Sequence, residues 1–431
     1  MTQSRHRLAA LTPVLAVVLA CGAGEGGSAS DGMAGPDRML AWEPEELYAV
    51  GGFDAPDWAT FGEVADVGFD AEGNLYLFDS QVAQVTVVSP EGDFLRTVGR
   101  RGDGPGEIGT GMAMAVFPDG RIAISDLGKR GVVLYDREGE WLGNVLLDMT
   151  QEGLPGSDML AHPDGGVISA QPLRMFVQDV GADDPPESEA RESRPVFLYP
   201  TTEDGESREI YAAWDPPQPP DEDGATMEAG SGGNRMTFRM SPLQAFEPGL
   251  HVAVLPDGRV AVADSTDYRI RLFDPTGAPA GELRRPLPPV QVTDRIRAME
   301  RDRRLAELEE NGGGLRLMGS GGGVTFDQAQ VQQALRDRIE SMTFYPEVPV
   351  VTGVAADASG RLWVQRAGAV PGEEGPVDLI TPDGRYLGSL EGGGLGIPVA
   401  FGPDGRVAVR ETDEYDVVTV RVLRIPTTAG S

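Results

Sequence analysis

Three side chains in this 431-residue sequence are placed to do acid, base or metal chemistry together: Asp66, Asp158 and His251. Each stands seven residues before a turn glycine (Gly73, Gly165, Gly258) of a recurring pattern. In a ring of repeats, equivalent positions converge on the axis, so two carboxylates and an imidazole would meet there and could hold a divalent ion or polarise a ligand. Calcium is the ion expected if one is held, and the pattern requires no cofactor. Ala113, Gly353 and Pro398 fill the same register in the other repeats and carry no such chemistry. The plainer reading is a set of solvated polar residues at a channel entrance. A second register, six residues after each glycine, holds Asp79, Asp126, Gln171, Asp264, Arg366 and Glu411. Its aspartates read as turn caps. Arg366 breaks the pattern, and with Arg101, Lys129 and Arg174 expected nearby it would bring positive charge to one face, suited to a carboxylate or sugar-acid ligand.

Most other chemistries are excluded by residue type. Beyond the N-terminal His6 the chain has only His162 and His251, and its single cysteine is Cys21. Histidine-rich zinc sites, cysteine nucleophiles and HExxH motifs are therefore absent. No P-loop or GxSxG motif occurs, and the glycines at 319–323 read as low complexity rather than a phosphate cradle. Lys+Arg of 36 against Asp+Glu of 68 is the wrong sign for a nucleic-acid binder. With 58 Gly and 34 Pro, turns are dense and long helices few.

The elements that would position these residues are hairpins. GFDAEGNLYLFD, AVFPDGRIAISD, LAHPDGGVISAQ, AVLPDGRVAVAD, AADASGRLWVQR and AFGPDGRVAVRE each read as strand, tight turn, strand. Their turn glycines, Gly73, Gly120, Gly165, Gly258, Gly360 and Gly405, are separated by 47, 45, 93, 102 and 45 residues. The basic period of about 46 is that of a four-stranded propeller blade. A second hairpin follows most of the first ones, as in VTVVSPEGDFLRTV and IRLFDPTGAPAGELRRP. The sixth unit ends after VVTVRVLRI, one strand short, and EELYAVGG at 45–52 can supply the missing outer strand. The prediction is an all-β, six-bladed propeller closed by strands from both termini.

DSTDYRIRLFDPTG, DSQVAQVTVVSPEG and GRRGDGPGEIG resemble the hairpin and inter-blade segments of six-bladed propellers related to NHL repeats. The resemblance covers roughly 40–426. It implies a fold, and an address in bacterial lipoproteins, more than a reaction. Calcium propeller enzymes resemble this chain in where their sites would lie, but commonly use Asn and Glu ligands, and neither register contains Asn.

Three insertions, 172–195, 215–249 and 287–349, are expected on one face, since connections between blades and between second and third strands emerge together. That face is the expected binding face. Thr293 can cap a helix from Asp294 to about Glu310, and Thr325 with Gln328 a second running to about Met342, with Val331, Leu335, Ile339 and Met342 on one stripe. The expectation is a helical hairpin between blades four and five, its stripe lying on the propeller. The loop WDPPQPPDEDGATMEAGSGG is expected to remain without order of its own.

The first residues supply an address. Arg5, His6 and Arg7 precede an apolar run from Leu8 to Ala20 that ends Val18-Leu19-Ala20-Cys21-Gly22. This resembles a lipoprotein signal over 1–20 with Cys21 as lipid acceptor, followed by a flexible tether over 21–39. The function expected is a membrane-anchored, non-catalytic propeller of the cell envelope, on the periplasmic or outer-membrane side, that binds a partner protein, peptide or glycan. The alternative is a metal-dependent hydrolase or lyase of lactonase type acting at the channel mouth.

Overall fold

A computed structural model describes residues 33–156, 158–170, 172–173, 193–217, 225–229, 236–240, 242–310 and 328–426. Cys21, the signal segment, Gln171, Arg174, most of the first insertion and the glycine-rich stretch between the helices lie outside the described residues. Among the described residues no helix is long and apolar enough to cross a membrane.

Six four-stranded antiparallel sheets follow one another along the chain. Blades one to five span 64–98, 111–146, 159–214, 251–284 and 351–390, each with its strands in sequence order. Blade six runs from Ala400–Phe401 through Arg406–Thr412 and Val418–Arg424, and its outer strand is Glu45–Gly51 from the other end of the chain. The pairing is antiparallel, with Tyr48 opposite Val422 and Val50 opposite Val420. This is the predicted six-bladed propeller with mixed-terminus closure.

The tight turns explain why the repeat is so regular. All six turn glycines have positive φ, between +72° at Gly405 and +95° at Gly165, a region open to glycine at little cost. The preceding acid completes the turn: Asp70 Oδ1 accepts the backbone N–H groups of Glu72 and Asn74 at 3.0 and 2.9 Å. His162 goes further. Its Nδ1 accepts the N–H of Asp164, so its Nε2 donates to the Gly258 carbonyl at 2.9 Å and links the turns of blades three and four.

The core is divided among the six interfaces between neighbouring blades. Tyr76, Phe78 and Val85 of blade one pack on Ile122, Ile124 and Val133 of blade two. Blades four and five meet through Leu255, Ile270, Val364 and Ile380, and Met33 is buried with them at 1% exposure. The last part of the expected tether is thus packed rather than free. From Met33 the chain crosses the outside of blade five, where Leu40 N–H bonds the Ser389 carbonyl and Ser389 N–H bonds the Arg38 carbonyl, before it enters blade six.

The helical insertion forms as expected, with α1 at Asp294–Glu310 and α2 at Gln328–Glu340. Thr293 caps α1 through its hydroxyl, which accepts the Ile296 N–H at 3.4 Å. The apolar stripe has a different partner from the one expected. Ile339 and Met342 pack with Leu305 and Leu308 of α1 and with Leu243, Phe246 and Phe344, so the insertion carries a small core of its own. The acidic, proline-rich loop also differs, because Ala225–Ala229 pairs with Met236–Met240 as a hairpin that packs against α2. Backbone pairing and a helix to lean on supply the order that its composition did not suggest.

Candidate functional site

Strand alternation puts the blade-to-blade connections and the loops between second and third strands on one face, which therefore carries the described parts of the second and third insertions. A cavity of about 690 Å³ on this face lies between α1, the start of blade four and the 367–376 loop of blade five. Its wall is mainly apolar, with Leu287, Val290, Ile296, Val351 and Val370 among the lining residues, and His251 and Arg366 stand at its margin. Adding a Cβ to Gly249 would bring it within 2.3 Å of the His251 ring, so glycine there allows the imidazole to lie flat against the chain.

His251 opens the first strand of blade four, paired with Ala263. Burial holds its pKa below the ordinary value; the Asp158 charge opposes this and the Arg194 charge reinforces it. Asp66 opens the channel side of blade one and accepts the Met114 N–H of blade two at 2.7 Å. Burial in the channel wall pushes its pKa up to about 7; the Met114 bond works against the rise, and the like charge of Asp158 adds to it. Asp158 itself is exposed. The shared register therefore places Asp158 within electrostatic reach of both other residues. It does not assemble a metal centre: among the described residues no group of three or more His, Cys, Asp and Glu side chains could hold an ion.

The cations expected to gather on this face are dispersed. Arg101 donates to the carbonyls of Ser80 and Gln81 at 3.2 and 2.7 Å, and Lys129 to that of Gly104 at 3.0 Å. Both fasten loops at blades one and two. Arg366, across the ring on blade five, is engaged by carboxylates: Asp37 Oδ2 at 2.6 Å and Asp378 Oδ1 at 3.4 Å. Arg285 completes this cluster with Asp378 Oδ2 at 2.7 Å and Asp37 Oδ1 at 3.0 Å. Burial would raise the Asp37 pKa, but the guanidiniums of Arg366 and Arg285 hold it below the usual value. Position along a strand is periodic; the partner that a side chain meets is not.

Of the three aspartates in the second register two are turn caps, and Glu411 pairs with Arg421 instead. Asp79 accepts the N–H groups of Gly62, Glu63, Gln81 and Val82, and Asp126 those of Gly109, Thr110 and Lys129. Asp264 is the exception, bound instead to the Tyr211 hydroxyl at 2.8 Å and to Arg271.

A second mouth of the ring, at the tight-turn face, opens into an apolar channel of about 490 Å³ lined by strand ends of all six blades. Asp70 and Asp357, the acids in its lining, are both bonded within their own turns.

No family model matches the chain, and no curated protein matches it. Solved structures do. A candidate exported protein of Bacteroides fragilis is 13% identical, with a TM-score of 0.46, 91% of this chain and 96% of that one covered. Regucalcin, a calcium-binding protein of Agrobacterium tumefaciens, is 16% identical over 89% and 97% with a TM-score of 0.39. Virginiamycin B lyase of Staphylococcus aureus is 12% identical over 88% and 99% with a TM-score of 0.37. Identities this low transfer no ligand, metal or reaction to this chain.

Proposed function

We propose that this protein is an envelope-anchored, non-catalytic propeller that binds a partner protein or peptide through its insertion-bearing face. The partner places an apolar group in the cavity between α1 and blades four and five. That cavity, about 690 Å³ and walled chiefly by aliphatic side chains, is the observation that carries the reading. The lipoprotein-like signal, with Cys21 as acceptor, would deliver the domain to the envelope. The remaining charge of an acidic chain would keep its surface off anionic headgroups, leaving the lipid as the attachment.

The test is selection of peptides from a random displayed library on the full chain, repeated on Ile296→Asp and Val290→Asp. The reading expects selected peptides to share an apolar anchor and to lose binding to either variant by about tenfold or more. Peptides that bind both variants as well as the parent would overturn it.

One observation favours a second reading. A carboxyl whose pKa is raised to about 7, with the charge of Asp158 acting both on it and on a His251 whose pKa burial lowers, suits acid–base chemistry at the channel mouth. A lactonase-like or lyase-like activity would then require Asp66 and His251, and hydrolysis of a lactone panel that survives in both Asp66→Asn and His251→Ala would remove this alternative. Melting with and without calcium or zinc, compared with Asp158→Ala, tests whether any ion takes part.

A further inference from the structure

Blades three and four leave a cleft at the rim of the insertion-bearing face. Its lining includes Trp214, Pro248, Ser265, Arg269 and Tyr345, and its volume, about 300 Å³, is at the small end for ligand sites. Three buried polar atoms around it have no hydrogen-bond partner among the described residues: Arg194 Nη2, Arg269 Nε and Ser265 Oγ. Arg194 is only 4% exposed. Its Nε donates to the Trp214 carbonyl at 2.9 Å and its Nη1 to the Pro248 carbonyl at 2.8 Å, so it stands directly behind two lining residues. Among the described residues no carboxylate is within ion-pair distance of it; burial works against its charge, and the charges of Glu247, Asp215 and Asp264 offset this only from farther away. A buried guanidinium whose hydrogen bonds go to carbonyls alone is an expensive arrangement, and a further anion nearby relieves it. Asp264 does not bond it, since Arg271 and the Tyr211 hydroxyl already occupy its two oxygens.

Aromatic surface adjoins these donors. Trp214 is 49% exposed and meets Tyr345 edge to face, with ring centroids 6.2 Å apart. An exposed indole beside donors and the rim carboxylate of Asp267 is the equipment for holding a hydroxylated ring: the flat face takes the C–H side, and the polar groups take the hydroxyls. Two spare cationic donors add a preference for a negatively charged ring. A peptide carboxylate would use the cations but would leave the indole face unfilled.

We propose that this cleft binds a uronic-acid residue of a glycan. Trp214 stacks on the sugar ring, Arg269 binds its carboxylate with Arg194 supporting the charge from behind, and Ser265 bonds a ring hydroxyl. The site is separate from the apolar cavity and does not rest on the binding reading given above.

The experiment is calorimetric and fluorescence titration of the full chain with trigalacturonate, against the neutral galactose trisaccharide and an oligoglutamate peptide. Trigalacturonate should bind saturably and perturb the tryptophan emission. Trp214→Ala should abolish that signal, and Arg269→Gln should weaken binding about tenfold, as loss of one charge-assisted contact does. Ile296→Asp, which lies in the other cavity, should bind unchanged. Should either variant of the cleft fail to fold, Ser265→Ala removes only a hydroxyl and should weaken binding several-fold at an unaltered melting temperature. Absence of trigalacturonate binding, equal binding of the neutral sugar, equal or tighter binding of oligoglutamate, or cleft variants that bind like the parent would each overturn the proposal.

Discussion

Asp66 and Asp378 are both carboxyls inside the ring, and their surroundings give them opposite characters. Burial of the Asp66 carboxyl, together with the like charge of Asp158, outweighs the Met114 N–H that favours its charged form, so its pKa is pushed up to about 7. A raised folded-state pKa means that the proton stabilises the fold. That contribution is full below the unfolded value of 3.8 and is lost as pH rises through about 7. Asp66→Asn keeps the acceptor for Met114 and should remove this dependence. Thermal melts from pH 4 to 8 should show the variant gaining about 1–3 kcal/mol on the parent at the alkaline end; parallel curves would show that the carboxyl is ordinary. Asp378, wholly buried, is held by Arg285, Arg366 and the Ser389 hydroxyl. Asp378→Ala leaves two guanidiniums facing each other and should cost about 3–5 kcal/mol in denaturant unfolding. A loss below one kilocalorie would mean that solvent or Asp37 takes over. Neither character was legible beforehand. Seven residues before a glycine locates Asp66 on its strand, but the burial that shifts its pKa comes from blade two and Asp158, far along the chain.

Among the elements, hairpins were the most legible, because alternation, a Pro-Asp-Gly turn and a required positive φ are all local properties. The segment from Met33 to Trp42 was not. Met-Ala-Gly-Pro-Asp has the small, polar look of a tether, and its order comes from partners remote in sequence: Arg285 binds the Met33 and Gly35 carbonyls, and Trp42 packs edge-on to Trp363 at 5.8 Å. Met33→Ala should cost about 2–5 kcal/mol, the usual range for emptying a buried methionine site. A variant that melts with the parent would show the segment to be a passenger. The cleft at blades three and four escaped notice for the same reason. Trp214, the 264–271 loop and Tyr345 belong to three separate stretches, and no spacing rule joins them. The two helices and the Thr293 cap were legible from their own residues, whereas the partner of the α2 stripe was not, since a stripe specifies only that something apolar must cover it.

At the scale of the whole molecule, six similar interfaces divide the core, and none is large enough to be stable by itself. Closure couples them. Glu45–Gly51 lies against Val418–Arg424, and Arg421 reaches Glu46 across that pair. Without the N-terminal strand, blade six would present an unpaired edge and open the interface where Val50 meets Val420 and Leu77. Deleting 33–51 should convert a single cooperative melt into a broad or stepped one and should promote association, read by scattering during the melt. A sharp single transition in the shortened chain would show that five blades and a partial sixth suffice. The number of blades and the exchange of strands between termini were both legible, because the repeat period counts the blades and the sixth unit is visibly one strand short.

That exchange also sets an order in time. Synthesis proceeds from the N-terminus, so of the blade strands Glu45–Gly51 emerges first and has no hydrogen-bonding partner until Val418–Arg424, the last strand of the described residues, has followed it. Until then its leading strand is an unpaired, partly apolar edge, and the ring can shut only after Val418–Arg424 has been made. Closure of the ring is thereby tied to synthesis of Val418–Arg424: a product truncated anywhere before residue 418 lacks the partner of its first strand and keeps an exposed edge.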